Sequence, residues 1–289
     1  MNPHIECIPC LVRQAYRITE ILELSTKDQK TILDEVMTLL ATNELNRSTP
    51  FFTHQIWNII KNYTDNPDPY KVIKNYYNEK MQHEAIFIKD LVTESAKPFR
   101  TALKTAITGN IIDFGSRHDI NEELIMQEIS SINSRPLYID NHNALKKQIQ
   151  KSNNLLYLGD NCGEIVFDKI FIEQIKKLNP FLKVTFAVRG EPVINDITRE
   201  DAFQVGMDKV AEIIDNGFDA PGTELDHSSD AFRELFFKSD LVISKGQGNY
   251  ESLSEVNRND IFFLFMVKCN AVAHQTKAEK GSLVCLHKK

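Results

Sequence analysis

Residues 155–168, LLYLGDNCGEIVFD, decide the fold. A short apolar run from Leu155 to Leu158 stops at Gly159-Asp160-Asn161, and apolar residues then recur with helical spacing from Glu164 onward. This is a strand-to-helix turn carrying a carboxylate beside a carboxamide. In open α/β sheets ligands bind just beyond the carboxyl ends of the strands, which makes the pair a candidate site.

The same texture continues to the end of the chain. β-branched and apolar runs of strand length occur at 155–158, 184–188, 211–214, 241–244 and 261–267. Helical patterns separate them at 164–178, 198–206, 229–237 and 250–255. Such alternation predicts right-handed βαβ units and a mostly parallel sheet covered on both faces. The last apolar run, 282–287, is expected at the sheet edge.

Upstream of Ser152 the periodicity is helical. Thr26 and Gln29 fit a capping box ahead of Ile32, Leu33, Val36, Met37 and Leu40. Further helices are expected from Phe51 to Tyr63, from Pro69 towards Val92, and from Pro98 to Gly109, with prolines near their starts. The expected architecture is therefore α+β and multidomain: residues 1–150 form a mainly helical unit packed on a Rossmann-like α/β/α unit, residues 151–289.

Composition excludes several classes of function. The net charge of −6 and a pI near 5.8, with Lys and Arg scattered, leave no basic footprint for nucleic acid. No apolar run approaches the roughly 18 residues of a membrane span. Five thinly spread cysteines, an odd number, argue against a secreted disulfide framework and for a reducing cytoplasm. Neither a nucleic-acid nor a membrane partner is expected, and no oligomeric state is assigned.

Parallel strands send all their strand-to-helix loops to one edge, where polar groups converge. The first loop carries Asp160, Asn161 and Glu164; the second, RGEPVIND, carries Arg189, Asn195 and Asp196. The third, DNGFDAPGT, carries Asn216 and Gly217, and the fourth, SKGQGN, carries Lys245, Gly246 and Asn249. Each alone has an ordinary explanation: Asp-Asn turns cap helices, Asp196 precedes Thr198 as a cap would, and Arg189 and Glu164 could pair. Recurrence at four consecutive junctions favours a site.

Two carboxylates and an amide oxygen suit a hard divalent cation such as Mg²⁺ or Mn²⁺, with Co²⁺ or Ni²⁺ as further candidates. Lys245 on a glycine loop would neutralise phosphate from the other side. There is no GxGxxG after Leu158, no GxxxxGK[ST] and no GxSxG. An S-adenosylmethionine-dependent methyltransferase is the runner-up, since LYLGDNCG is a strand followed by a small-residue turn. A non-catalytic phosphometabolite-binding protein is the third reading.

GDNCGEIVFDK, RGEPVINDITREDA, ISKGQGNYESL and VKCNAVA resemble, in order and spacing, the motifs of the damage-control phosphatase family, formerly domain of unknown function 89. CIPC near the start and AITGNIIDFG at 106–115 are similar to its CxxC-containing subfamily, so the resemblance spans nearly the whole chain. It implies a metal-dependent phosphatase of small phosphorylated metabolites, either sugar phosphates or damaged cofactor phosphates. It further implies metal ligation by Asp160, Asn161 and Asp196, phosphate contact by Lys245, and substrate contact by Glu164. Asn110 and Asp113 are neighbours of the site on this reading. Water or Asp160 could serve as nucleophile. Cys162 and the pair Cys7 and Cys10 are read as packing thiols, with zinc or redox chemistry as the alternative for the CxxC.

Overall fold

The structure is a computed structural model that describes residues 1–109, 127 and 129–288. Asn110 and Asp113 lie outside the described residues. Five helices come first: α1 (Cys7–Ile21), α2 (Thr26–Thr42), α3 (Thr49–Lys61), α4 (Lys71–Thr93) and α5 (Pro98–Thr108). The N-cap of α2 is Ser25, whose hydroxyl takes the Asp28 amide hydrogen. The cap thus falls one residue before the expected Thr26, which is already helical.

The sheet has seven strands in the order β1-β7-β6-β5-β2-β3-β4. They are β1 (Leu137–Asp140), β2 (Asn154–Leu158), β3 (Lys183–Val188), β4 (Glu212–Asp215), β5 (Leu241–Lys245), β6 (Ile261–Met266) and β7 (Leu283–Lys288). All neighbours pair parallel except β6 and β7. The expected edge position of the last strand is wrong. β7 lies between β6 and the four-residue β1, which takes the edge and which the helical reading of the first half overlooks. Residues 137–151, read from sequence as helical, supply both β1 and a helix, α6 (His142–Lys151), so the sheet begins before residue 151.

Helices α7 (Glu164–Leu178), α8 (Arg199–Gln204), α9 (Asp230–Lys238), α10 (Gln247–Leu253) and α11 (Asn270–Thr276) fill the remaining crossovers. Alternate strand residues feed two cores. Leu155, Tyr157, Phe186, Ile243 and Leu264 pack with α4, α5, α6 and α7, whereas Leu156, Leu158, Val242, Phe263 and Phe265 pack with α9 and α10. Burial on both faces explains why these strands read as continuous apolar runs rather than alternating ones.

Two features of this topology position the site. After β4 the chain returns to the other side of β2, so β2 and β5 flank the point where the strand order reverses. A third core, built by α1, α2 and α3, takes in Val193 and Ile194 from the loop after β3. Trp57 of α3 is fully buried and its indole N–H donates to the Pro192 carbonyl at 3.1 Å. The first three helices therefore grip the loop that carries Asn195 and Asp196. Among the described residues no helix is long and apolar enough to cross a membrane.

Candidate functional site

The loops after β2 and β3 are stitched together by backbone. Cys162 N–H donates to the Asn195 carbonyl at 2.9 Å, Ile197 N–H donates to the Asp160 carbonyl at 3.0 Å, and Asn161 forms a bridge with Asp196. Ile194 adopts φ +47°, a strained conformation for a β-branched residue. Its side chain, locked in the third core, keeps the loop in that shape.

This stitching brings Asp160, Asn161 and Asp196 together, each nearly buried, on the wall of one cavity of about 760 Å³. Asn161 Nδ2 donates to Asp160 Oδ2 at 2.7 Å and to Glu164 Oε2 at 3.3 Å. Gly246, at the β5–α10 turn, has φ +80°, and a Cβ there would meet Asp160 Oδ2 at 1.9 Å. Only glycine lets the Asp160 carboxylate lie over that turn.

Burial, reinforced by the Glu164 and Asp196 carboxylates, pushes Asp160 well above the ordinary carboxylate range. The nearby charges of Lys268 and Arg189 act in the opposite direction. Crowded carboxylates with an adjacent amide are the donor chemistry of a hard divalent cation, which would relieve their repulsion. Among the described residues no three Asp, Glu, His or Cys side chains converge as a metal cage. The set here has two carboxylates and one amide, and it fits an ion that keeps several waters.

The other expected site residues sit elsewhere. Lys245 is fully buried and does not line the cavity. Its ammonium donates to the Ala106 carbonyl at 2.8 Å, to Asp168 Oδ1 at 2.5 Å and to Glu164 Oε1, which uses all three hydrogens. Burial alone would lower its pKa, but Asp168 and Glu164 prevail and hold it above the ordinary lysine value. Phosphate contact by Lys245 is therefore not what this geometry offers. Glu164 is fully buried as well and likewise stands behind the cavity wall.

Arg189 pairs not with Glu164 but with Asp196, through Nε at 2.6 Å. Asn216 is a loop brace: its side-chain oxygen accepts from Gly190 N–H and Phe218 N–H. Gly217, at φ +77°, backs onto Ser229. Asn249 ties strand ends together, donating to the carbonyls of Gly159 and Lys245 and accepting from Thr223. Asn216, Gly217 and Asn249 are framework rather than cavity lining.

The cavity has another cation. Lys268 lines it, and its charge reaches both Asp160 and Glu251. The sequence reading stops at four junctions, although Lys268 stands in VKCNAVA at a fifth, just after β6. Cys7, Cys10 and Cys269 also line the cavity, and burial raises the thiol pKa of Cys7 and of Cys269. None of the five cysteines forms a disulfide, and Cys162 is buried in the first core.

Comparison with known proteins agrees with these motifs. The family model described as "Damage-control phosphatase ARMT1-like domain" matches residues 4–284. A damage-control phosphatase of Pyrococcus horikoshii is 34% identical over 100% of this chain and 99% of its own. One from Archaeoglobus fulgidus is 32% identical over 96% of each chain. The crystal structure of a DUF89 family protein from P. horikoshii superposes with a TM-score of 0.89, at 34% identity and with full coverage of both chains. With its motifs, its mostly parallel sheet and its full-length relatives in agreement, the chain belongs to the damage-control phosphatase family of ARMT1-like domains.

Proposed function

We propose that this protein is a metal-dependent phosphatase that hydrolyses small phosphorylated metabolites, such as sugar phosphates or damaged cofactor phosphates. The observation that carries the reading is the buried set of Asp160, Asn161 and Asp196 at the strand-order reversal, opening on one cavity that also holds Lys268. The names of its relatives, damage-control phosphatases, support it.

Asp160, Asn161 and Asp196 would hold Mg²⁺ or Mn²⁺, with Co²⁺ or Ni²⁺ as further candidates. Such an ion supplies positive charge to the phosphoryl oxygens, where most of phosphoryl-transfer catalysis is spent. Lys268, which lines the same cavity, binds the phosphate. Arg189 holds the Asp196 carboxylate in place by its 2.6 Å hydrogen bond. The names of the relatives favour this reading over the methyltransferase one. We place the enzyme in the cytoplasm, since five thinly spread cysteines without a disulfide suit a reducing compartment.

The test is hydrolysis of an aryl phosphate with and without added Mn²⁺ or Mg²⁺. Activity should require the ion, and Asp160→Ala should lower it at least about 100-fold. Full activity in the presence of a chelator would refute the proposal, and phosphate-ester binding without turnover would identify a sensor instead.

A further inference from the structure

A polar cluster that the proposed chemistry leaves unused lies behind the Asp160–Asn161 turn. Lys245, Glu164, Asp168 and Tyr157 are all fully buried. Tyr157 O–H donates to Asp168 Oδ1 at 2.7 Å, and Lys245 donates to Asp168, Glu164 and the Ala106 carbonyl of α5. Glu164 is therefore fixed through Oε1, and its second oxygen, Oε2, is the acceptor for Asn161 Nδ2. The amide nitrogen has two hydrogens, and the other goes to Asp160 Oδ2. Both are thus taken, one by Asp160 on the cavity wall and one by Glu164 behind it.

We infer that Lys245 and Glu164 are positioning residues that fix which end of the Asn161 amide faces the cavity. With its nitrogen held inward by Glu164, Asn161 presents its carbonyl oxygen, the only end of the amide that can ligate a cation. An amide turned by 180° occupies the same space and presents N–H hydrogens instead. Shape cannot distinguish the two orientations, so a hydrogen-bond acceptor of fixed polarity has to. Glu164 supplies that acceptor, and Lys245 holds its carboxylate in place through Oε1. This inference rests on the metal-site reading above. A purely structural ion pair would affect stability alone, whereas partners that orient a metal ligand are typically worth about 10–100-fold in metal affinity.

The experiment is Mn²⁺ titration of the full chain, following the electron paramagnetic resonance signal of the free aquo ion, with no activity measurement involved. Glu164→Gln keeps the shape but offers one oxygen where two acceptors are needed, and it should weaken Mn²⁺ binding by about 10–100-fold. Adding Asn161→Asp to Glu164→Gln exchanges donor and acceptor between the two side chains and leaves oxygen facing the cavity in either orientation. This double variant should recover to within about tenfold of the parent. Lys245→Met should weaken binding in the same direction as Glu164→Gln. If Lys245→Met does not fold, the other two variants still decide. Unchanged affinity in Glu164→Gln overturns the inference, as does a double variant no better than Glu164→Gln. A parent protein that binds no Mn²⁺ overturns the metal site itself, and the positioning role with it.

Discussion

Arg189 Nε and Asp196 Oδ2 meet at 2.6 Å with both side chains buried, while Nη2 of the same guanidinium stands 3.8 Å from Asp160 Oδ1. One arginine thus faces two of the three residues assigned to the metal. Replacing it with methionine takes a 2.6 Å ionic partner from Asp196 in a buried setting. We expect Arg189→Met to lose about 3–5 kcal/mol of stability, measured by urea unfolding. Saturating Mn²⁺ should raise the melting temperature of the variant by more than that of the parent, because the ion would restore the positive charge that the two carboxylates lose with Arg189.

Gly246 supplies a steric test. Gly246→Ala places a Cβ 1.9 Å from Asp160 Oδ2 at φ +80°, so backbone strain and collision coincide. The strain costs about 1–3 kcal/mol. A reacting group displaced by ~1 Å typically loses about 100-fold in rate. Aryl phosphatase kinetics with circular dichroism melting should show both losses together.

The two lysines should separate cleanly. Lys268→Met removes a cavity charge, and it should raise KM for a phosphate ester by roughly 10–100-fold, the value of one charge-assisted hydrogen bond. Stability should stay within about 0.5 kcal/mol of the parent. Lys245→Met removes the cation from between two buried carboxylates and should cost about 3–5 kcal/mol. Steady-state kinetics beside urea unfolding distinguishes them. Equal stability losses in the two variants would contradict their assigned places.

A pH dependence follows from Asp219, which joins the loop after β4 to α3. Burial raises its pKa, but hydrogen bonds from His54 and Lys61 outweigh burial and bring it down to about 2. The folded state therefore holds the proton less tightly than the unfolded chain, whose aspartates titrate near 3.9. The associated stability is fully present above about pH 4 and disappears as pH falls through about 2. Asp219→Asn should be less stable than the parent at pH 5, and the gap should shrink steadily below pH 4 in urea titrations.

The strand-and-helix alternation after residue 152 was legible because parallel strands buried on both faces are apolar throughout and are punctuated at each loop. Asp160, Asn161 and Asp196 were legible for a related reason, since their junctions all open on one edge of the sheet. β1 was not, because four residues with Tyr138 exposed carry no period. The interior place of β7 was hidden too, for strand order depends on crossovers that local pattern does not encode. The burial of Lys245 was not legible, because a lysine in a glycine turn, expected there to meet phosphate, gives no sign of its buried partners. Those partners, Glu164 and Asp168, are four residues apart on α7, a spacing equally consistent with an exposed helix face. Lys268 went unnoticed because its junction lacks the glycines that mark the fourth loop.

The position of β7 between β1 and β6 also sets an order of events during synthesis. Among the described strands β1 hydrogen-bonds to β7 alone, across more than 140 residues of intervening chain. As the chain emerges from the ribosome, β2 to β6 can pair in turn, whereas β1 must wait for the last strand to be made. Closure of the sheet is thus a late, long-range step, with a correspondingly large loop entropy to overcome. Until then the outer edge of β6 is an unpaired apolar strand, so nascent-chain aggregation should be governed by Ile261–Met266 rather than by the site.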